Sequence, residues 1–122
     1  MKSILLIEDD PFIRDLTSVK LSEHSYAVQT ANDGESALEV LKREQPDLIL
    51  LDLDLPGISG LQVLSELNAD PLLKHIPVVI FSNNDNPEAK AAAEKEGVKG
   101  FFVKVSTAFE DLHTHLRAIL GE

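Results

Sequence analysis

The run DLILLDLDLPGISG, residues 47–60, decides how this chain folds. Leu48 to Leu51 form a short, unbroken aliphatic segment that ends in Asp52. A segment this short and this apolar reads as a strand buried on both faces of a parallel sheet. "SILLI" (3–7) and "IPVVIF" (76–81) have the same character, and "GFFV" (100–103) is a further apolar run. "YAVQT" (26–30) alternates more and reads as a strand nearer an edge.

Helical patterns fill the gaps between the runs. Phe12, Leu16 and Val19 fall at helical spacing, as do Ala37, Val40 and Leu41, then Leu61, Leu64 and Leu67. "PEAKAAAEKEG" has helix propensity but only alanines to bury, which predicts the most weakly anchored helix. Phe109, Leu112, Leu116, Ile119 and Leu120 make the clearest stripe. Asp10-Pro11 and Asn86-Pro87 pair a capping residue with a first-turn proline. Asn32 with Glu35 and Thr107 with Glu110 fit capping boxes, and Gly97 suits a helix stop. The pattern is (βα) five times: an α/β domain with a parallel sheet and helices on both faces.

Length and composition narrow the function. A chain of 122 residues suits one domain. Without cysteine it has no disulfide, thiolate metal site or cysteine nucleophile. A formal charge of −10 argues against nucleic-acid binding by this domain. No apolar run approaches a membrane span, and the amino terminus does not read as a signal peptide. His24, His75, His113 and His115 read as surface residues.

Doubly wound sheets present ligand sites beyond the carboxyl ends of their strands. Glu8, Asp9 and Asp10 follow the first strand, Asp52, Asp54, Pro56 and Gly57 the third, Ser82, Asn83 and Asn84 the fourth, and Lys104 the fifth. Asp10 reads as a helix cap. The other acids, gathered at one edge, need a compensating cation, and magnesium suits carboxylates that leave room for water and a phosphate oxygen. Lys104 and Ser82 add a positive charge and a hydroxyl donor around a phosphoryl group, and Asp52 becomes a candidate carboxylate nucleophile.

These residues, in this order along the whole chain, resemble the receiver domain of two-component response regulators. "LLIEDD" is similar to the family's acidic pair, with Glu8 and Asp9 in the paired positions. "DLILLDLDLPGISG" resembles the phosphorylated-aspartate segment, with Asp52 as phosphoacceptor and Pro56 and Gly60 in place. "VVIFS" places Ser82 on the hydroxyl position, and "GFFVK" places Phe101 and Lys104 on the aromatic switch and the lysine. The resemblance implies a flavodoxin-like strand order 2-1-3-4-5. It implies Mg2+ held by Asp9, Asp52 and the backbone carbonyl of Asp54, with Glu8 acting through water. It further implies a histidine kinase or histidine phosphotransfer protein as phosphodonor, a downstream protein partner, and a cytoplasmic signalling role rather than that of a conventional enzyme. Ser82 and Lys104 would contact the phosphoryl group, and movement of Ser82 would let Phe101 swing in. One receiver domain over 1–122, with no output domain, is the expectation.

Two positions depart from the family. Val105 stands where the family has a proline in a cis peptide bond. A cis bond costs about 3–4 kcal/mol before any other residue, so a trans bond and a redrawn loop are expected. Asn83 stands where the family has a small residue, and is expected to shield the phosphoryl group or hold an attacking water. Two other functions compete. "LILLDLDLPG" resembles the Asp-x-Asp signature of haloacid-dehalogenase phosphatases, with Asp54 as general acid, although here the remaining acids precede the lysine. A pseudo-receiver would use the same fold for protein contacts alone. A flavin carrier is excluded, because three acids after the first strand would repel a flavin phosphate.

Overall fold

The computed structural model describes residues 1–122. Strands and helices alternate as β1 (Ser3–Ile7), α1 (Pro11–Glu23), β2 (Ala27–Ala31), α2 (Gly34–Arg43), β3 (Leu48–Leu51), α3 (Gly60–Ala69), β4 (Val78–Ser82), α4 (Pro87–Lys95), β5 (Gly100–Val103) and α5 (Phe109–Leu120). A single 3-10 turn, Lys104–Ser106, links β5 to α5. The strands form one parallel sheet in the order β2-β1-β3-β4-β5. No helix is long and apolar enough to cross a membrane.

Alternation along the strands explains why both faces are covered. Leu5, Ile7, Ile49, Leu51, Val78 and Ile80 point to the face packed by α2, α3 and α4. Ile4, Leu6, Leu48, Leu50 and Val79 point to the opposite face, packed by α1 and α5. The central strands β1 and β3 are therefore apolar at nearly every position, as period-2 geometry requires. β2 lies at an edge, as its alternation predicts, and is mostly exposed; β5 forms the other edge and is half-buried throughout.

The sequence misassigns one face. Phe12, Leu16 and Val19 are exposed, at 74%, 45% and 56%. The inward residues of α1 are Thr17 and Leu21, with Ile13 half-buried. Both sets satisfy helical spacing, and only packing against the sheet chooses between them. α5 buries Leu112 and Leu116 as expected, and α4 buries only Ala93.

Helix starts follow the sequence in part. Asp10 Oδ1 accepts from Phe12 N and Ile13 N, and Asn86 caps α4. The α2 cap is Asp33 rather than Asn32, whose side chain instead accepts from Arg14 Nη1 at 2.6 Å. The Thr107–Glu110 box does not form, because α5 starts one residue later, at an uncapped Ala108. Gly97, at φ +87°, follows the end of α4 as expected. His113 and His115 are half-buried, not surface residues as expected. His113 packs edge-on against His24 and Tyr26, and His115 against Phe102.

Candidate functional site

The site begins with the pairing of β1 and β3. Ile7 and Leu51 are partners, and the Asp52 N–H donates to the Ile7 carbonyl at 3.1 Å. The ladder thus runs one rung past the strands, and Glu8 and Asp52 emerge side by side. Both are buried, at 2% and 5% exposure, whereas Asp9 is exposed. One carboxylate oxygen from each of Glu8, Asp9 and Asp52 lies within 4.8 Å of the others.

Like charges this close in a buried place require compensation. Lys104 provides some of it: Nζ donates to Asp52 Oδ2 at 2.7 Å and pairs with Glu8 Oε1. The fully buried Ser82 donates its hydroxyl to Asp52 Oδ1 at 2.6 Å, and the Asp54 N–H donates to the same oxygen at 3.0 Å. No buried side-chain polar atom lacks a partner. Burial pushes the Glu8 carboxyl above its ordinary value, against the lowering effect of its hydrogen bonds to Lys104 and Asp10 N. Burial works to strip the Lys104 ammonium, yet hydrogen bonds to Asp52 and Glu8 hold it above its usual value.

The donor set also fits a hard cation. All three groups are carboxylates, and Lys104 alone does not balance them. Asp9 is the exposed member of the three, its carboxylate beside the two buried ones. Carboxylate oxygens with open, solvent-facing positions are what Mg2+ prefers. Asp54 is exposed, and its side chain accepts from Asn84 Nδ2 at 3.1 Å.

Other expected residues fall nearby in different ways. Gly60 presses the start of α3 onto the segment after β3: a Cβ there would stand 2.6 Å from Leu53 Cα. Only glycine permits that approach, so its role exceeds a turn. Phe101 pairs with Ile80, is half-buried against the α2–α4 face, and has Lys90 Nζ 5.9 Å from its ring centroid. The chain has no cis peptide bond, so the Lys104–Val105 bond is trans, as expected, and it lies within the 3-10 turn. Lys104 still reaches Asp52. Asn83 Oδ1 accepts from the Val105 N–H at 3.0 Å. Asn84, placed at the strand end by sequence but given no role, donates its N–H to Ser82 Oγ at 3.2 Å while its amide holds Asp54. Its place two residues after Ser82, in an asparagine-rich loop, was the available signal.

The arrangement is a buried carboxylate ringed by a lysine, a hydroxyl, a backbone N–H and two further acids. The model of the response regulator receiver domain matches residues 4–117. The chain belongs to that family, the receiver domains of two-component signalling systems. Response regulator PleD of Caulobacter vibrioides is 37% identical over 101 residues, 83% of this chain and 22% of that protein. The CAI-1 autoinducer sensor kinase/phosphatase CqsS of Vibrio cholerae is 30% identical over 84% of this chain and 15% of that protein. The chain thus spans under a quarter of the length of these curated relatives. Among solved structures, response regulator TrrA of Thermotoga maritima, in complex with Mg2+-BeF, is 30% identical with a TM-score of 0.86, covering 98% of this chain and 99% of that one. Chemotaxis response regulator CheY4 of Vibrio cholerae is 27% identical with a TM-score of 0.88, covering 98% of each chain. The phosphatase and pseudo-receiver readings are not favoured: the acids gather from β1, ahead of the lysine, and none of the site groups is missing.

Proposed function

We propose that this receiver domain accepts a phosphoryl group on Asp52 from a phosphohistidine donor, on a histidine kinase or a histidine phosphotransfer protein. One observation carries the reading: Asp52 lies within reach of Glu8 and Asp9 while Lys104 Nζ and Ser82 Oγ both contact it. Its carboxylate attacks phosphorus, an O–P bond forms, and the P–N bond to the donor imidazole breaks. The imidazole leaves with the electron pair and takes up a proton. Lys104 and Ser82 then turn from the carboxylate to the phosphoryl oxygens, offering a charge and a hydrogen bond where negative charge develops.

Mg2+ would be held by Asp9, Asp52 and the backbone carbonyl of Asp54, with Glu8 acting through water. When bound, it neutralises charge between the acids and the incoming phosphoryl group. The domain would catalyse its own phosphorylation and dephosphorylation rather than turn over a separate substrate. Release of Ser82 from Asp52 would be coupled to Phe101, changing the surface of α4, β5 and α5 that a downstream protein reads. A cytoplasmic setting, where phosphodonor kinases act, fits this role.

Beryllofluoride, a phosphoryl mimic, tests the site. Fluorine NMR should show a bound signal that needs both Mg2+ and the Asp52 carboxylate. A signal of full strength in Asp52→Asn would move the acceptor elsewhere.

A further inference from the structure

We propose that Asn83 is a positioning residue for Lys104, acting through the Val105 N–H; this rests on the phosphoacceptor reading of Asp52. The turn that carries Lys104 is poorly held by its own bonds. Thr107 N reaches the Lys104 carbonyl only at 3.5 Å, and Ser106 Oγ reaches the Val103 carbonyl at 3.4 Å. Val105 is 81% exposed, so packing of its side chain does not anchor the turn either. The short contact in this segment comes from across the sheet: Asn83 Oδ1 accepts from Val105 N at 3.0 Å.

The sheet explains why Asn83 can reach. The β4–β5 ladder ends at Ser82↔Val103, so Asn83 and Lys104 are the next pair. There the side-chain amide takes over from the backbone and adds a rung. Asn83 is itself fixed on both sides, because Ser82 is bonded to Asp52 and Asn84 to Ser82 and Asp54. The rung therefore ties the peptide that follows Lys104 to the segment already attached to the acceptor. A lysine has a long, flexible stem, and holding its backbone limits where Nζ can go. Asn83 and Val105 are both exposed, so losing the rung returns two groups to water and leaves the fold intact.

The test combines amide exchange with labelling by acetyl phosphate in Mg2+. In Asn83→Ala the Val105 N–H should exchange about tenfold faster, the loss of one local hydrogen bond, while Asn83→Asp, which keeps an acceptor oxygen, retains the protection. The labelling rate of Asn83→Ala should fall about five- to tenfold, again the scale of one hydrogen bond. In a Lys104→Ala background the same substitution should change nothing further, because its effect runs through the lysine. An unaltered labelling rate in Asn83→Ala, or an equal fall in the Lys104→Ala background, overturns the proposal. If the unsubstituted protein takes no label, the phosphoacceptor reading fails instead, and Val105 exchange still reports the tether.

Discussion

Glu8 and Asp52 meet through backbone pairing at the centre of the sheet, with Ser82 at the end of the paired strand β4 beside them, whereas Lys104 reaches in from the turn after the edge strand β5 on a long side chain. The acidic half stands on two strands buried at nearly every position, and its register continues to the last rung. Lys104 instead depends on a long stem and on a turn tied by Asn83. The difference shows a division of labour. Rigid strands hold the acids together despite their repulsion and set Ser82 beside them, and a flexible tether brings the compensating lysine.

The largest test of that division removes the lysine. Lys104→Met leaves Glu8 and Asp52 buried without their cation, which should cost about 3 kcal/mol in urea unfolding at neutral pH with chelator present. Since burial already raises the Glu8 carboxyl, acidification that protonates it should shrink the loss. Unchanged stability would break the claim that Lys104 compensates the acids. A smaller effect sharpens the boundary of the acidic half. Asp10 adjoins Glu8 and Asp9 but caps α1, so Asp10→Ala should cost about 1 kcal/mol and leave Mg2+ affinity unchanged by calorimetry. Loss of Mg2+ binding in the folded variant would put Asp10 in the cluster.

The smallest effect lies outside both halves and serves as a control. Burial, then the positive charges of His24 and Arg117, lower the His113 midpoint below 6.5, with Glu122 opposing. The folded state then binds fewer protons than the unfolded one just below that pH. This contribution to stability is present above 6.5 and is lost as pH falls through the folded midpoint, by under about 1 kcal/mol. Proton NMR should place the midpoint below 6.5, and His24→Ala should move it back up. A midpoint at or above 6.5 would contradict this packing.

The acidic half was legible because its signals are local. A run of aliphatics ending in Asp52, and another ending in Glu8-Asp9, specify both strand and site, and strand adjacency does the rest. Asp10-Pro11 and Asn86-Pro87 announced their helices for the same reason. The tethered half was less legible. Ser82 and Lys104 could be placed at strand ends, but the Asn83–Val105 bond joins residues 22 apart that no periodicity links. α1 failed differently, since Ile13, Thr17 and Leu21 match helical spacing as well as Phe12, Leu16 and Val19 do. Half-buried His113 and His115 followed from neighbours that the α1–β2 connection and β5 supply, which no local stretch encodes.

The central claim is that Asp52 is the phosphoacceptor of this site. Incubation with acetyl phosphate and Mg2+, followed by intact mass, tests it most directly. The account predicts one added phosphoryl group, dependent on Mg2+ and absent from Asp52→Asn. An adduct that persists in Asp52→Asn, or none in the unsubstituted protein, would contradict it.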